Sequence, residues 1–209
     1  MERLLGRCEI LQRKMPKKQM IGHIGIDYGS KLAGTTAICF ADSNNKISIG
    51  QSANKQDADR FIIDFCQSHK PSSVYIDAPL SLPAVYKNPA VEESNFFYRQ
   101  ADIEARAMSP LFLGGLTARA MKLNRDLKSL PFYEVYPKLL VTTLDLKVFY
   151  KKDITHFLEG LFQKIHLPNL PQCDNWHQVD ALLAFISGIR HVNKQHISIG
   201  TPSEGVIFA

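Results

Sequence analysis

Short apolar runs that end at turn residues recur along the chain and predict β-strands. Five strands are expected, at 21–27, 35–41, 46–51, 74–77 and 132–136. The turn Asp42-Ser43-Asn44-Asn45 separates the second strand from the third, so the first three strands are predicted to form an antiparallel meander. The fourth strand follows a predicted helix, which favours a parallel neighbour in the sheet.

Helical periodicity appears between and after these strands. Five helices are predicted, at 57–69, 92–107, 115–127, 155–166 and 176–191, and residues 197–208 resemble a small hairpin. The last helix carries the clearest apolar stripe, which consists of Val179, Leu182, Leu183, Ile186 and Ile189, and Asp174 is expected to cap it. The pattern therefore predicts an α/β domain with a mixed five-stranded sheet flanked by helices and a helical insertion before the fifth strand.

Charge divides the 209 residues unequally. Residues 1–20 hold six basic and two acidic side chains, whereas the remaining 189 residues hold 19 basic and 18 acidic ones. We therefore expect a basic, disordered leader at 1–20 and one nearly neutral domain at 21–209. Four cysteines without a pairing pattern and no run of about 18 apolar residues predict a cytoplasmic setting without a membrane span.

Four carboxylates stand where predicted elements begin or end. Asp27 and Asp77 close the first and fourth strands, Glu134 lies in the fifth strand, and Asp180 lies in the first half of the last helix. Carboxylates are costly to bury unless they are paired or bind a metal, and their oxygens suit Mg²⁺ or Mn²⁺. The set predicts a metal site for phosphodiester hydrolysis. A solvent-facing Glu134 and an exposed first-turn Asp180 are the alternatives.

The expected substrate contacts are basic. Arg99 and Arg106 recur within the charge-dense segment 99–106, and Lys31 lies in the glycine turn after the first strand. Arginine binds phosphate through paired hydrogen bonds, although a helix face that pairs its own charges explains the same pattern. His177 precedes Asp180 by three residues, so either a general base or a capping residue is expected there.

Aromatic residues precede the charge-dense segment. Phe96, Phe97 and Tyr98 are consecutive, and either stacking on bases or packing in the core is expected of them.

Five of these segments together carry a family resemblance. They are GID at 25–27, IDAPLSLP at 76–83, RQADIEAR at 99–106, YEVYP at 133–137 and VDAL at 179–182. In this order they resemble domain-of-unknown-function family 429, from about residue 21 to the C-terminus. The resemblance implies a ribonuclease H-like fold, a metal site built on Asp27, Asp77, Asp180 and Glu134, and a nuclease acting on nucleic acid.

Two other functions share this fold expectation. The segment DYGSKLAGTT at 27–36 also resembles the first phosphate loop of actin-like and sugar-kinase-like ATPases, although those enzymes hold ATP between two such domains. A binding or scaffold protein that keeps the fold without the chemistry is the second, and the nearly neutral body favours it.

Overall fold

Seven strands form one mixed sheet in the computed structural model, which describes residues 22–87, 95–165, 167 and 169–209. The strands are β1 (Ile24–Asp27), β2 (Ala37–Ala41), β3 (Ile47–Gln51), β4 (Val74–Asp77), β5 (Phe132–Val135), β6 (Ser198–Thr201) and β7 (Gly205–Phe208). The helices are α1 (Ala58–His69), α2 (Gln100–Ala105), α3 (Pro110–Leu113), α4 (Gly115–Asp126), α5 (Pro137–Thr143), α6 (Ile154–Lys164) and α7 (Trp176–Val192).

The strand order across the sheet is β3-β2-β1-β4-β5-β7-β6. The first three strands are antiparallel neighbours, and β4 and β5 follow β1 in parallel. The predicted α/β class, the meander and the parallel fourth strand are therefore confirmed. Within the described ranges, none of these helices is long and apolar enough to cross a membrane.

The sheet has seven strands rather than the predicted five because the C-terminal hairpin joins it. β7 pairs in parallel with β5, with Glu134 opposite Ile207 and Val135 opposite Phe208, and β6 pairs with β7. A hairpin alone is marginally stable in water. Pairing with the free edge of β5 gives the hairpin backbone partners and buries Ile207, which is 2% exposed.

The predicted helix at 92–107 is much shorter in the structure. Residues 88–94 lie outside the described ranges, and α2 covers only Gln100–Ala105. The Asn95 side chain accepts hydrogen bonds from the amides of Phe97 and Tyr98, at 2.8 and 2.9 Å. This local turn competes with a helix and holds the segment in another conformation.

Helix α7 packs unusually close to the first strand, and this contact brings the candidate site together. A Cβ atom placed on Gly25 would lie 2.1 Å from the Phe185 backbone nitrogen and 2.5 Å from the Ala181 carbonyl oxygen. Only glycine therefore fits this position of β1. Because Asp27 follows Gly25 by two residues, it lies on the same face of the strand, toward α7.

Candidate active site

Asp27 and Asp77 are direct neighbours at one edge of the sheet. They are register partners in the parallel strands β1 and β4, which lie about 4.8 Å apart. Both residues line a cavity of about 260 Å³ at the carboxyl ends of these strands. Ligands of open α/β sheets commonly bind at this end. The predicted juxtaposition of these two aspartates is thus present in the structure.

Asp180 reaches the same region from α7. Its side chain is largely buried, accepts a hydrogen bond from the Tyr150 hydroxyl at 2.8 Å and forms an ion pair with the Lys151 ammonium group. Lys151 has a left-handed backbone, with φ of 61°, in the loop before α6. The Lys151 ammonium group places a positive charge beside the Asp180 carboxylate.

The electrostatics show that the three aspartates interact. Burial raises the pKa of the Asp77 carboxyl well above its ordinary value, and the charges of Asp27 and Asp180 raise it further. Burial also raises the pKa of Asp180, while Lys151 opposes that increase. Tyr136, which lines the cavity, has its pKa raised by burial and then by Asp77 and Asp180. The cavity floor consequently favours a bound positive charge.

His177 contacts Asp27. Its Nδ1 atom lies 2.7 Å from Asp27 Oδ2, and this hydrogen bond is the main cause of a raised pKa of the imidazole. A carboxylate accepts only, so in neutral His177 the proton is on Nδ1 and Nε2 is the acceptor. The N-cap of α7 is Asn175 rather than the predicted Asp174, because the Asn175 side chain accepts from the amides of His177 and Gln178.

Glu134 and Arg99 bind each other in the wall of the cavity. The Arg99 guanidinium donates to both Glu134 carboxylate oxygens, at 2.7 and 2.6 Å, and to both Asp102 oxygens, at 3.0 and 2.6 Å. Arg99 also donates to Ser81 Oγ at 2.9 Å and is 0% exposed. The Leu80 amide donates to Glu134 at 2.9 Å. The sequence suggested ligand and phosphate-binding roles, whereas the structure shows a buried ion-pair network in the cavity wall.

The other predicted substrate contacts lie on the surface. Arg106 is exposed and ends α2 in a left-handed conformation, with φ of 52°. Lys31 is exposed and lies 3.3 Å from Asp57, the N-cap residue of α1. Neither residue lines the cavity. Tyr150 and Lys151, which the sequence did not indicate, are closer to the carboxylates than either of them.

The donor atoms at this edge suit a hard divalent cation. Asp27 and Asp77 offer carboxylate oxygens, which Mg²⁺ and Mn²⁺ prefer. In the described part of the chain, no three His, Cys, Asp or Glu side chains are already arranged to hold a metal ion. Asp180 is paired with Lys151 and would join Asp27 and Asp77 only if that ion pair opened, whereas Arg99 occupies both oxygens of Glu134. In this structure the fit is therefore to two aspartates, Asp27 and Asp77.

Replacing Lys151 with methionine is expected to increase the response to metal. Loss of the ammonium group leaves Asp180 without its cationic partner. In the metal-free protein the free energy of unfolding should therefore fall by about 1 kcal/mol, and the melting temperature by about 2–4 °C. Mn²⁺ should then raise the melting temperature more than in the wild type. Melting curves with EDTA and with Mn²⁺ measure both effects. Lys152→Met, at the adjacent exposed position, is the control, and equal responses of the two variants would contradict this role of Lys151.

No protein-family model, no curated protein and no solved structure matched the chain.

Proposed function

We propose that the protein is a metal-dependent hydrolase of phosphodiester bonds, a nuclease with a ribonuclease H-like fold. The observation that carries the proposal is the in-register pair Asp27 and Asp77, joined by Asp180 from the closely packed helix α7. Asp27 and Asp77 line one cavity, and Asp180 lies close enough for its charge to raise the pKa of Asp77. Ionised carboxylates this close repel one another, and a shared cation relieves the repulsion. A divalent metal bound by oxygen atoms is the usual cation at such a phosphodiester-cleaving site.

The arrangement of elements supports the fold part of the proposal. An antiparallel meander, parallel fourth and fifth strands and a helix that packs across β1 are the order that the ribonuclease H-like resemblance implies. We also propose that the chain is related to domain-of-unknown-function family 429. The two additional C-terminal strands extend the sheet beyond β5. They do not separate β1 from β4, the strands that end in Asp27 and Asp77.

The side chains of the site would have different roles in the reaction. Asp27, Asp77 and Asp180 would hold Mg²⁺ or Mn²⁺, which when bound lowers the pKa of a bound water and stabilises negative charge on the phosphate. His177 is oriented by Asp27 and can accept a proton at Nε2. Arg99 and Glu134 keep the cavity wall in place through their paired hydrogen bonds.

The turn after β1 is less suited to the ATPase alternative. The Gly29 amide already donates to Thr36 Oγ1 at 3.0 Å, and a Cβ on Gly29 would lie 2.1 Å from Thr35 Oγ1. A phosphate loop needs amides that point at the ligand. Because Thr36 accepts from it, the Gly29 amide is not free to donate to a phosphate.

A cleavage assay tests the proposal. Labelled single-stranded DNA and RNA, their duplexes, a hybrid and a branched substrate are incubated with Mg²⁺, with Mn²⁺ and with EDTA. We expect cleavage to need metal and its rate to fall at least about 100-fold in Asp27→Asn. Loss of a metal ligand should lower the rate at least as much as loss of a residue that only hydrogen-bonds to a ligand. Asp64→Asn is the control, since Asp64 is an exposed residue of α1 that pairs with Arg60.

The assay also separates the competing functions. Cleavage of no substrate by the folded wild-type protein would contradict the nuclease and favour a non-catalytic binding protein. Equal cleavage by the wild type and Asp27→Asn would show that the activity comes from another site or a contaminant.

A further inference from the structure

Several aromatic side chains lie on the surface beside the cavity. Phe97 and Phe112 are 53% and 62% exposed, and their rings stack with centroids 5.6 Å apart and planes 27° apart. The Tyr98 ring meets Phe112 edge-on, at 5.9 Å. We call Phe97 and Phe112 the aromatic platform. Exposed apolar groups that cluster in this way commonly mark a binding surface.

The backbone beneath the platform is held by specific hydrogen bonds. Asn95 accepts from the Phe97 amide, and the Ser109 hydroxyl donates to the Phe97 carbonyl oxygen. Ser109 also accepts from the Leu111 amide at 3.1 Å, which caps the short helix α3 that carries Phe112. These bonds hold the backbone that carries both rings, so each ring projects from a hydrogen-bonded turn or helix.

The platform is continuous with the candidate active site. Met108 lies four residues before Phe112 and Leu113 directly follows it, and both line the cavity that contains Asp27 and Asp77. Met108 is itself 59% exposed, so it links the cavity mouth to the surface. A ligand that reaches the carboxylates can therefore extend over this side of the mouth.

Charge indicates the kind of nucleic acid that such a surface would bind. Proteins that grip a duplex through its phosphates need many basic side chains, and residues 21–209 carry only one more basic than acidic group. Aromatic side chains bind the faces of bases, which are accessible only when the bases are not stacked in a duplex. Arg106 is exposed two residues before Met108, where it can contact a phosphate.

We propose that the aromatic platform stacks unpaired bases and that the substrate is a single-stranded nucleic acid, a proposal that rests on the proposed function. Stacking on an aromatic ring tolerates any base, so binding should show little sequence preference. With few phosphate contacts, affinity should fall only weakly as the salt concentration rises. The platform would hold the strand while its backbone enters the cavity.

The test measures binding separately from cleavage. Fluorescence anisotropy of a labelled single-stranded oligonucleotide and of a matched hairpin duplex is recorded in EDTA, where no metal-dependent cleavage takes place. Phe97→Ser and Phe112→Ser should each weaken single-strand binding roughly tenfold. Phe162→Ser is the control, because Phe162 is 52% exposed on α6. All three variants should keep the wild-type melting temperature, since each side chain is exposed.

The outcomes are decisive in both directions. Tighter binding of the single strand than of the duplex, weakened by the platform changes and not by Phe162→Ser, is the expected result. Base stacking on the platform would be contradicted by equal affinity for the single strand and the duplex, by equal losses of affinity in all three variants, or by no binding of either oligonucleotide. Single-strand binding through the platform without any cleavage would contradict the nuclease alone. Cleavage at the wild-type rate in both Phe97→Ser and Phe112→Ser would contradict base stacking on the platform but not the nuclease.

Discussion

Replacing Arg99 with methionine should lower the free energy of unfolding by about 3–5 kcal/mol, the range for breaking a buried ion pair from one side. The change removes the only side chain that donates to both Glu134 and Asp102 among the hydrogen bonds of the described residues. Glu134 and Asp102 are 6% and 1% exposed, so water cannot replace the guanidinium without opening the structure. Urea unfolding at neutral pH measures the loss.

Two further variants keep this prediction decisive. Arg106→Met, at the exposed end of the same helix, should change stability by no more than about 0.5 kcal/mol. If Arg99→Met does not fold at all, Arg99→Lys still tests the idea, because one ammonium group cannot donate in pairs to two carboxylates. A stability of Arg99→Met equal to that of Arg106→Met would contradict the buried network.

Replacing Asp77 with asparagine should separate stability from activity. The asparagine removes a carboxylate that is crowded by Asp27 and Asp180, and its amide can donate to Asp27. In EDTA at neutral pH the variant is expected to be more stable than the wild type by about 0.5–2 kcal/mol, while metal-dependent cleavage falls at least about 100-fold. Urea unfolding and the cleavage assay measure the two effects on the same preparation.

The behaviour with Mn²⁺ completes this prediction. Mn²⁺ should stabilise the wild type through binding to the folded state and should stabilise Asp77→Asn much less. Asp64→Asn should follow the wild type in every measurement. An Asp77→Asn variant that is less stable than the wild type in EDTA, or that remains fully active, would contradict a strained carboxylate cluster built for a cation.

The sequence predicts the elements whose pattern is local. β4 has the bounds that its apolar run predicts, and α7 differs from its prediction by one residue at its C-terminal end. The placement of Asp27 beside Asp77 was also predictable, because both end apolar strands that parallel pairing aligns. These features depend on alternation and periodicity, which a single sequence displays directly.

The rest depends on contacts between distant parts of the chain. Glu134 pairs with Arg99 across 35 positions, and no spacing rule links the two residues. Lys151 reaches Asp180 from a left-handed position in a loop without periodicity. The C-terminal hairpin joins the sheet only because the edge of β5 is free. Such pairings follow from tertiary packing, so the sequence predicted that Asp27 and Asp77 are neighbours but not that Glu134 pairs with Arg99.

The most direct test of the central claim is a titration with Mn²⁺, followed by the electron paramagnetic resonance signal of the free ion. The wild type should take up Mn²⁺, Asp27→Asn and Asp77→Asn should lose most of that uptake, and Asp64→Asn should retain it. Addition of Mg²⁺ should displace the bound Mn²⁺, because both ions prefer the same oxygen donors. Equal uptake by all four proteins, or none by the wild type, would contradict a metal site formed by these carboxylates.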